Sequence, residues 1–174
     1  MPIDSNDVQH LRALFPRIKA RFDQRRTHRS GLICKQGLYQ SSSVLKLQKA
    51  TWTNDPMDQL QNQTGVFFSI WTNEEAARVR QAFYNIHALK LRQLAGYRIT
   101  SRDFAHDFRQ SFAPMRAAWP NVSVDYGPQT LMQGWIEVDP DHLEDRFEND
   151  ALALLERFAE MSPVIDRLLQ ARRA

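Results

Sequence analysis

The stretch FYNIHALKLRQLAGY, Phe83 to Tyr97, holds two side chains suited to acid–base or nucleophilic chemistry, His87 and Lys90. Read as a helix at about 100° per residue, it gathers Val79, Ala82, Phe83, Ile86, Leu89, Leu94 and Tyr97 into one apolar sector. Lys90 projects near the centre of that sector, Gln93 lies inside it and His87 at its edge. A lysine so placed has three explanations. It lines a pocket with His87 and Gln93 that receives an anion or carboxylate, where burial would make it a base or nucleophile. It runs its stem over apolar surface to water near a helix C-terminus, where a cation is favoured. Or it meets one carboxylate, such as Asp125 or Glu137, and fixes packing. Lysine is almost never buried without a partner, so the ion pair is the expectation.

Asp125, Glu137 and Asp139 flank a predicted hairpin with its turn at Gly127 to Thr130. That turn sets Asp125 opposite Met132, with Glu137 about 17 Å further along at the rise of a strand. Carboxylates that share a metal ion sit far closer. Asp139 is also placed to cap a helix. The catalytic candidates are therefore His87, Lys90, Asp125 and Glu137, the groups an unfamiliar hydrolase or phosphodiesterase would use.

The binding candidates lie near the start of the chain. Arg17, Lys19, Arg21, Arg25, Arg26, His28 and Arg29 fall within thirteen residues, opposed only by Asp23. Arginine suits phosphate because its planar fork binds two oxygens. Charge is divided between the two ends. Residues 1–36 carry eight Lys/Arg against three Asp/Glu, and residues 137–174 carry ten Asp/Glu against five Arg. The ends either attract each other, within a chain or between copies, or the basic end meets a nucleic acid or an acidic protein.

Other chemistries lack their signatures. His10, His28, His87, His106 and His142 form no short pair, and Cys34 is the one cysteine, so no metal site and no internal disulfide are expected. The chain has no glycine-rich phosphate loop, no dinucleotide fingerprint and no Gly-x-Ser-x-Gly elbow, so no cofactor is expected. Cys34, between Ile33 and Lys35, reads as a small core residue. Phe104, Phe108 and Phe112, at helical spacing, read as core rather than as a stacking platform. Trp71, Trp119 and Trp135 stand at the ends of apolar segments.

The elements that must position these groups follow from periodicity and punctuation. A helix begins at Asp4 or Ser5, with Val8, Leu11, Phe15, Ile18 and Phe22 on one side and a kink, or a division into two short helices, expected at Pro16. LICKQGLYQ, SVLKLQKATW and GVFFSIWT read as strands, the second with Leu45 and Leu47 inward and Lys46 and Gln48 outward. A helix from Asn73 to Gly96 comes next, then a brief strand at YRIT. A third helix starts at Thr100 or Ser101 and ends near Pro114. NVSVDY and LMQGWIEV form the hairpin. Asp139 and Pro140 open a helix lined by Leu143, Phe147, Ala151, Leu154, Leu155 and Phe158, and Ser162-Pro163 opens a last one.

This order predicts one α+β domain over residues 1–174, with a mainly antiparallel sheet of about five strands. An N-terminal helix, a central helix pair and C-terminal helices would pack on it. Residues 1–30 form its basic helical end and 139–174 its acidic helical end. No run of about 18 apolar residues occurs, so no membrane span is expected, and a cytoplasmic setting is the simplest reading. The functional expectation is a binding or accessory domain that engages a polyanion or acidic protein surface through Arg17, Lys19, Arg21, Arg25, Arg26 and Arg29. The alternatives are the hydrolase above and a homo-oligomeric interaction protein.

Overall fold

The computed structural model describes residues 2–25 and 31–174. The elements in order are α1 (Ser5–Arg25), β1 (Leu32–Tyr39), β2 (Ser42–Lys49), β3 (Gly65–Thr72), α2 (Glu74–Arg78), β4 (Gln81–Leu89), α3 (Ser101–Phe112), β5 (Thr130–Glu137) and α4 (Glu148–Gln170). The five strands form one antiparallel meander in sequence order. The α+β class and the antiparallel sheet agree with the expectation. Among the described residues, no helix is long and apolar enough to cross a membrane.

One face of the sheet carries the core. Leu45 and Leu47, then Val66, Phe68 and Ile70, then Ala82, Tyr84, Ile86 and Ala88 are all buried at alternate positions. Helices α1, α3 and α4 cover that face. Phe68 stacks on Phe158 of α4 with ring centroids 4.7 Å apart, and Trp52 meets Phe158 edge-on. The Trp52 indole donates to Asp166 at 2.8 Å, and Lys49 pairs with the same carboxylate at 2.5 Å. These contacts tie α4 to the end of β2.

The region from Asn73 to Gly96 departs from the expected helix. Asn73 caps α2 by accepting from the Ala76 amide at 2.8 Å, but α2 ends at Arg78. Arg80 then takes a left-handed conformation (φ 58°), and the chain returns as β4 between β3 and β5. The other expected pieces also shift. Residues 121–126 supply one bridge, Ser123 to Gln133, rather than a full strand. Tyr97 makes a single bridge with Arg173.

Neither internal proline breaks its helix. In α1, Asp4 and Asp7 bond each other's amides reciprocally, fixing the start. Pro16 faces solvent, on the same side as the Arg12 carbonyl that it leaves unbonded. Burial of Val8, Leu11, Leu14, Phe15, Ile18 and Phe22, at roughly 1.5–3 kcal/mol each, outweighs the roughly 3 kcal/mol an interior proline costs. In α4, Pro163 cannot donate to the Ala159 carbonyl four residues back. The Ser162 hydroxyl does so instead, at 2.8 Å, and one helix runs through where two were expected.

Ser162→Ala should therefore strand a carbonyl and lower unfolding free energy by about 1–3 kcal/mol in urea titrations. Adding Pro163→Ala, which restores an amide donor, should shrink that loss; an equal loss in both backgrounds would show that the hydroxyl does not replace the missing N–H.

Candidate functional site

Among the described residues, no helix covers the second face of the sheet. It carries the outward residues of the same strands, and the loop between Trp52 and Gly65 folds over part of it. Leu60 packs against Gly37, where an added Cβ would come within 2.7 Å of the Leu60 side chain. Gln59 donates to the carbonyls of Ile33 (2.7 Å) and Lys46 (3.1 Å). Asn62 donates to the Gln48 side chain at 2.7 Å. A cleft of about 670 Å³ remains between this loop, the β1–β2 turn and the end of β4. That volume is in the usual range for small-molecule sites.

Strand register writes the cleft floor in rungs. Lys46 pairs with Ser69, Ser69 with Asn85 and Asn85 with Gln133, so four polar residues from four strands stand in line. Ser69 donates to Asn85 Oδ1 at 2.5 Å, and Asn85 Nδ2 donates to Gln133 Oε1 at 3.4 Å. Lys46 is only 3% exposed. Its ammonium donates to Asn62 Oδ1 at 3.3 Å and stands 3.8 Å above the centre of the Phe67 ring. Among the described residues it forms no ion pair, and no Asp or Glu lines the cleft. Burial brings the Lys46 pKa down to about 8, with the Asp58 charge opposing the shift.

His87 stands on the next rung, beside Phe67. A bulge after Ile86 brings Gln129 and Thr130 to it. Its Nδ1 lies 3.3 Å from the Gln129 carbonyl, which can only accept, so Nδ1 carries the proton. Burial lowers the His87 pKa; the Gln129 carbonyl opposes the shift and the Lys46 charge adds to it. The ring is neutral at pH 7. Arg109 of α3 secures this corner through the carbonyls of Tyr126, Gly127, Thr130 and Leu131, at 3.0–3.2 Å.

The expected catalytic group is divided. His87 and Lys90 both line the cleft, but from a strand and its end rather than from a helix. Lys90 is exposed and left-handed (φ 49°) and, among the described residues, has no ion pair, so the single carboxylate partner expected for it is not found. Asp125 sits in an exposed loop, its amide bonded to Ser123 Oγ. Glu137 pairs with Arg146 at 2.9 Å. It stands opposite Gln81, six residues from His87 on β4 and so about 20 Å away.

The basic segment meets the acidic end of the same chain. Glu148, fully buried in the first turn of α4, lies 2.9 Å from Arg21 and 3.2 Å from Arg17. Arg25 reaches Glu156 at 3.3 Å, His10 reaches Glu144 at 3.0 Å, and Lys19 pairs with Asp23. Arg26, His28 and Arg29 lie outside the described residues. The cleft residues that periodicity missed are Lys46, Asn62, Ser69, Asn85 and Gln133. Alternation in SVLKLQK already set Lys46 opposite Leu45 and Leu47, but as a solvent-facing residue. The covering loop makes it a buried one.

No family model, no curated protein and no solved structure matches the chain.

The Lys46 shift has a signed consequence for stability. Below pH 8 its amine is charged in both folded and unfolded chains, and the cost of burying that charge is fully present. Between about 8 and the unfolded value of 10.5 the folded chain has released the proton and the unfolded chain has not, so stability gains with rising pH. Wild-type stability measured against Lys46→Met should climb across that window. A difference that is flat with pH would show that Lys46 titrates as an ordinary surface lysine.

Proposed function

We propose that the chain is a binding protein that takes a small anion-bearing ligand, through a phosphate or carboxylate group, in the cleft on the open sheet face. One observation carries the reading. A lysine ammonium is buried in the cleft floor, bonded to a neutral amide and seated over an aromatic ring, and among the described residues it forms no ion pair. A buried cation with no carboxylate in contact is costly, and an entering anion relieves that cost. Lys90 adds a second positive charge at the rim, and among the described residues no carboxylate lines the cleft to repel an anion directly. The polar rung of Ser69, Asn85 and Gln133 supplies hydroxyl and amide groups to orient the rest of the ligand.

The cleft is preferred to the basic N-terminal segment as the binding surface for a reason of charge balance. Arg17, Arg21 and Arg25 already face carboxylates of the same chain. A polyanion would have to compete with them. Among the described residues Lys46 forms no ion pair, and the Asp58 charge acts on it without contact.

Sulfate and acetate, whose charges stay constant across the relevant pH range, are suitable probes. Calorimetric titration at low ionic strength should show binding that Lys46→Met weakens by about tenfold or more. Affinity should fall as pH rises past about 8, because the ammonium is lost. Near that pH, binding should take up protons, seen as a dependence of the heat on the buffer. Equal binding by Lys46→Met, or an affinity unchanged through this pH range, would contradict the proposal.

A further inference from the structure

Next to the polar rung lies an apolar one. Val44 pairs with Trp71, Trp71 with Phe83 and Phe83 with Trp135, so these four side chains stand in line on the open face. The rings of Trp71 and Phe83 stack, with centroids 4.9 Å apart and planes 26° from parallel. Neighbouring strands are about 4.8 Å apart. Rings that rise from adjacent strands therefore fall at stacking distance without further arrangement.

The stack stops at β2, where the rung holds valine instead of an aromatic. On β1 the partner of Val44 is Gly37, which has no side chain, and Leu60 closes in over it. The space above Val44 is thus bordered by Trp71 on one side and Leu60 on the other. Val44, Trp71, Leu60 and Tyr39 all line the cleft. Two residues along β2 on the same face, about 7 Å away at strand rise, comes Lys46.

From this placement we infer that the ligand pairs a flat ring with its anionic group, the ring seated above Val44 against Trp71 and the anion one rung away at Lys46. A ring there extends the Trp71–Phe83 stack by one member at the spacing the strands impose. The amide and hydroxyl rung of Ser69 and Asn85 runs beside it, placed to meet polar ring edges or ligand hydroxyls. The inference rests on the anion reading and narrows it. Nucleoside monophosphates and aromatic carboxylic acids both join a ring to an anion at about this separation, and the shared chemistry is what the cleft would recognise.

Calorimetry with five probes separates the sources: adenosine monophosphate, adenosine, inorganic phosphate, indole-3-propionate and propionate. A ring stacked on an aromatic side chain should tighten binding by about tenfold over the bare anion. A gain for the monophosphate over phosphate alone identifies a nucleotide-like ligand. A gain for indole-3-propionate over propionate alone identifies an aromatic acid, and both gains together identify the common ring-plus-anion pattern. Val44→Phe, which places the protein's own ring in the slot, should remove the gain and leave phosphate binding intact. Trp71→Leu should do the same from the opposite wall, and unchanged melting temperatures certify that both variants fold. If phosphate and propionate bind as tightly as their ring-bearing counterparts, the ring seat is refuted while the anion site stands. A gain that survives in both folded variants also refutes it. If none of the five binds, the anion reading falls and takes the ring seat with it.

Discussion

Strand register is the constraint on which this structure depends. Side chains alternate between the two faces of a sheet, so a slip of one residue would exchange the buried face for the open one. Lys46, Ser69, Asn85 and Gln133 form a line only because four strands are paired in a single register. Two small residues help pin it. Tyr84 lies opposite Gly134, where a Cβ would come 2.4 Å from the tyrosine oxygen, and that oxygen donates to the Pro120 carbonyl at 2.6 Å. Gly65 opens β3 with φ at 115°, and any side chain there would collide with the Trp52 carbonyl. The bulge after Ile86 then lets β5 turn its Gln129–Thr130 end toward His87 without disturbing the rungs before it.

Charge is distributed between the faces in two different ways. On the helical side, Glu148 is buried but answered by Arg17 and Arg21, which joins α1 to the start of α4. On the open side, Lys46 is buried and answered by a neutral amide and a ring. A cation over an aromatic face gains about 2 kcal/mol when desolvated, which offsets only part of the cost of burying an ammonium. The lowered pKa of Lys46 expresses the remainder. One buried charge is thus answered by two cations of the same chain, and the other is the group on which the proposed anion site rests.

Much of the fold was legible in the chain because apolar spacing and caps agreed with each other. The stripe of α1, the strands around Leu45, Phe68 and Ile136, the Phe104–Phe108–Phe112 face of α3 and the apolar inner face of α4 all follow from local pattern. β4 was not legible, for a definite reason. Ala82, Phe83, Ile86 and Leu89 satisfy helical spacing, while Ala82, Tyr84, Ile86 and Ala88 satisfy strand spacing in the same nine residues. Only pairing with β3 and β5 breaks that tie. The site was half legible. His87 and Lys90 stood out as titratable groups in an apolar stretch, and both line the cleft. Lys46 did not stand out, because its alternation reads as exposure to water and its burial comes from a loop distant in sequence. The N-terminal arginines were legible as a charge cluster, but their engagement by Glu144, Glu148 and Glu156 depends on how α1 and α4 meet.

The Lys46 amine is desolvated and, among the described residues, forms no ion pair, which is the basis of the proposed anion site. Titration of that amine by NMR, followed at the side-chain carbon next to the nitrogen, reads its charge and its access to an anion together. The midpoint should lie near 8 in the free protein and rise when sulfate is added. A midpoint at the ordinary lysine value of about 10.4, unmoved by sulfate, would contradict the proposed site.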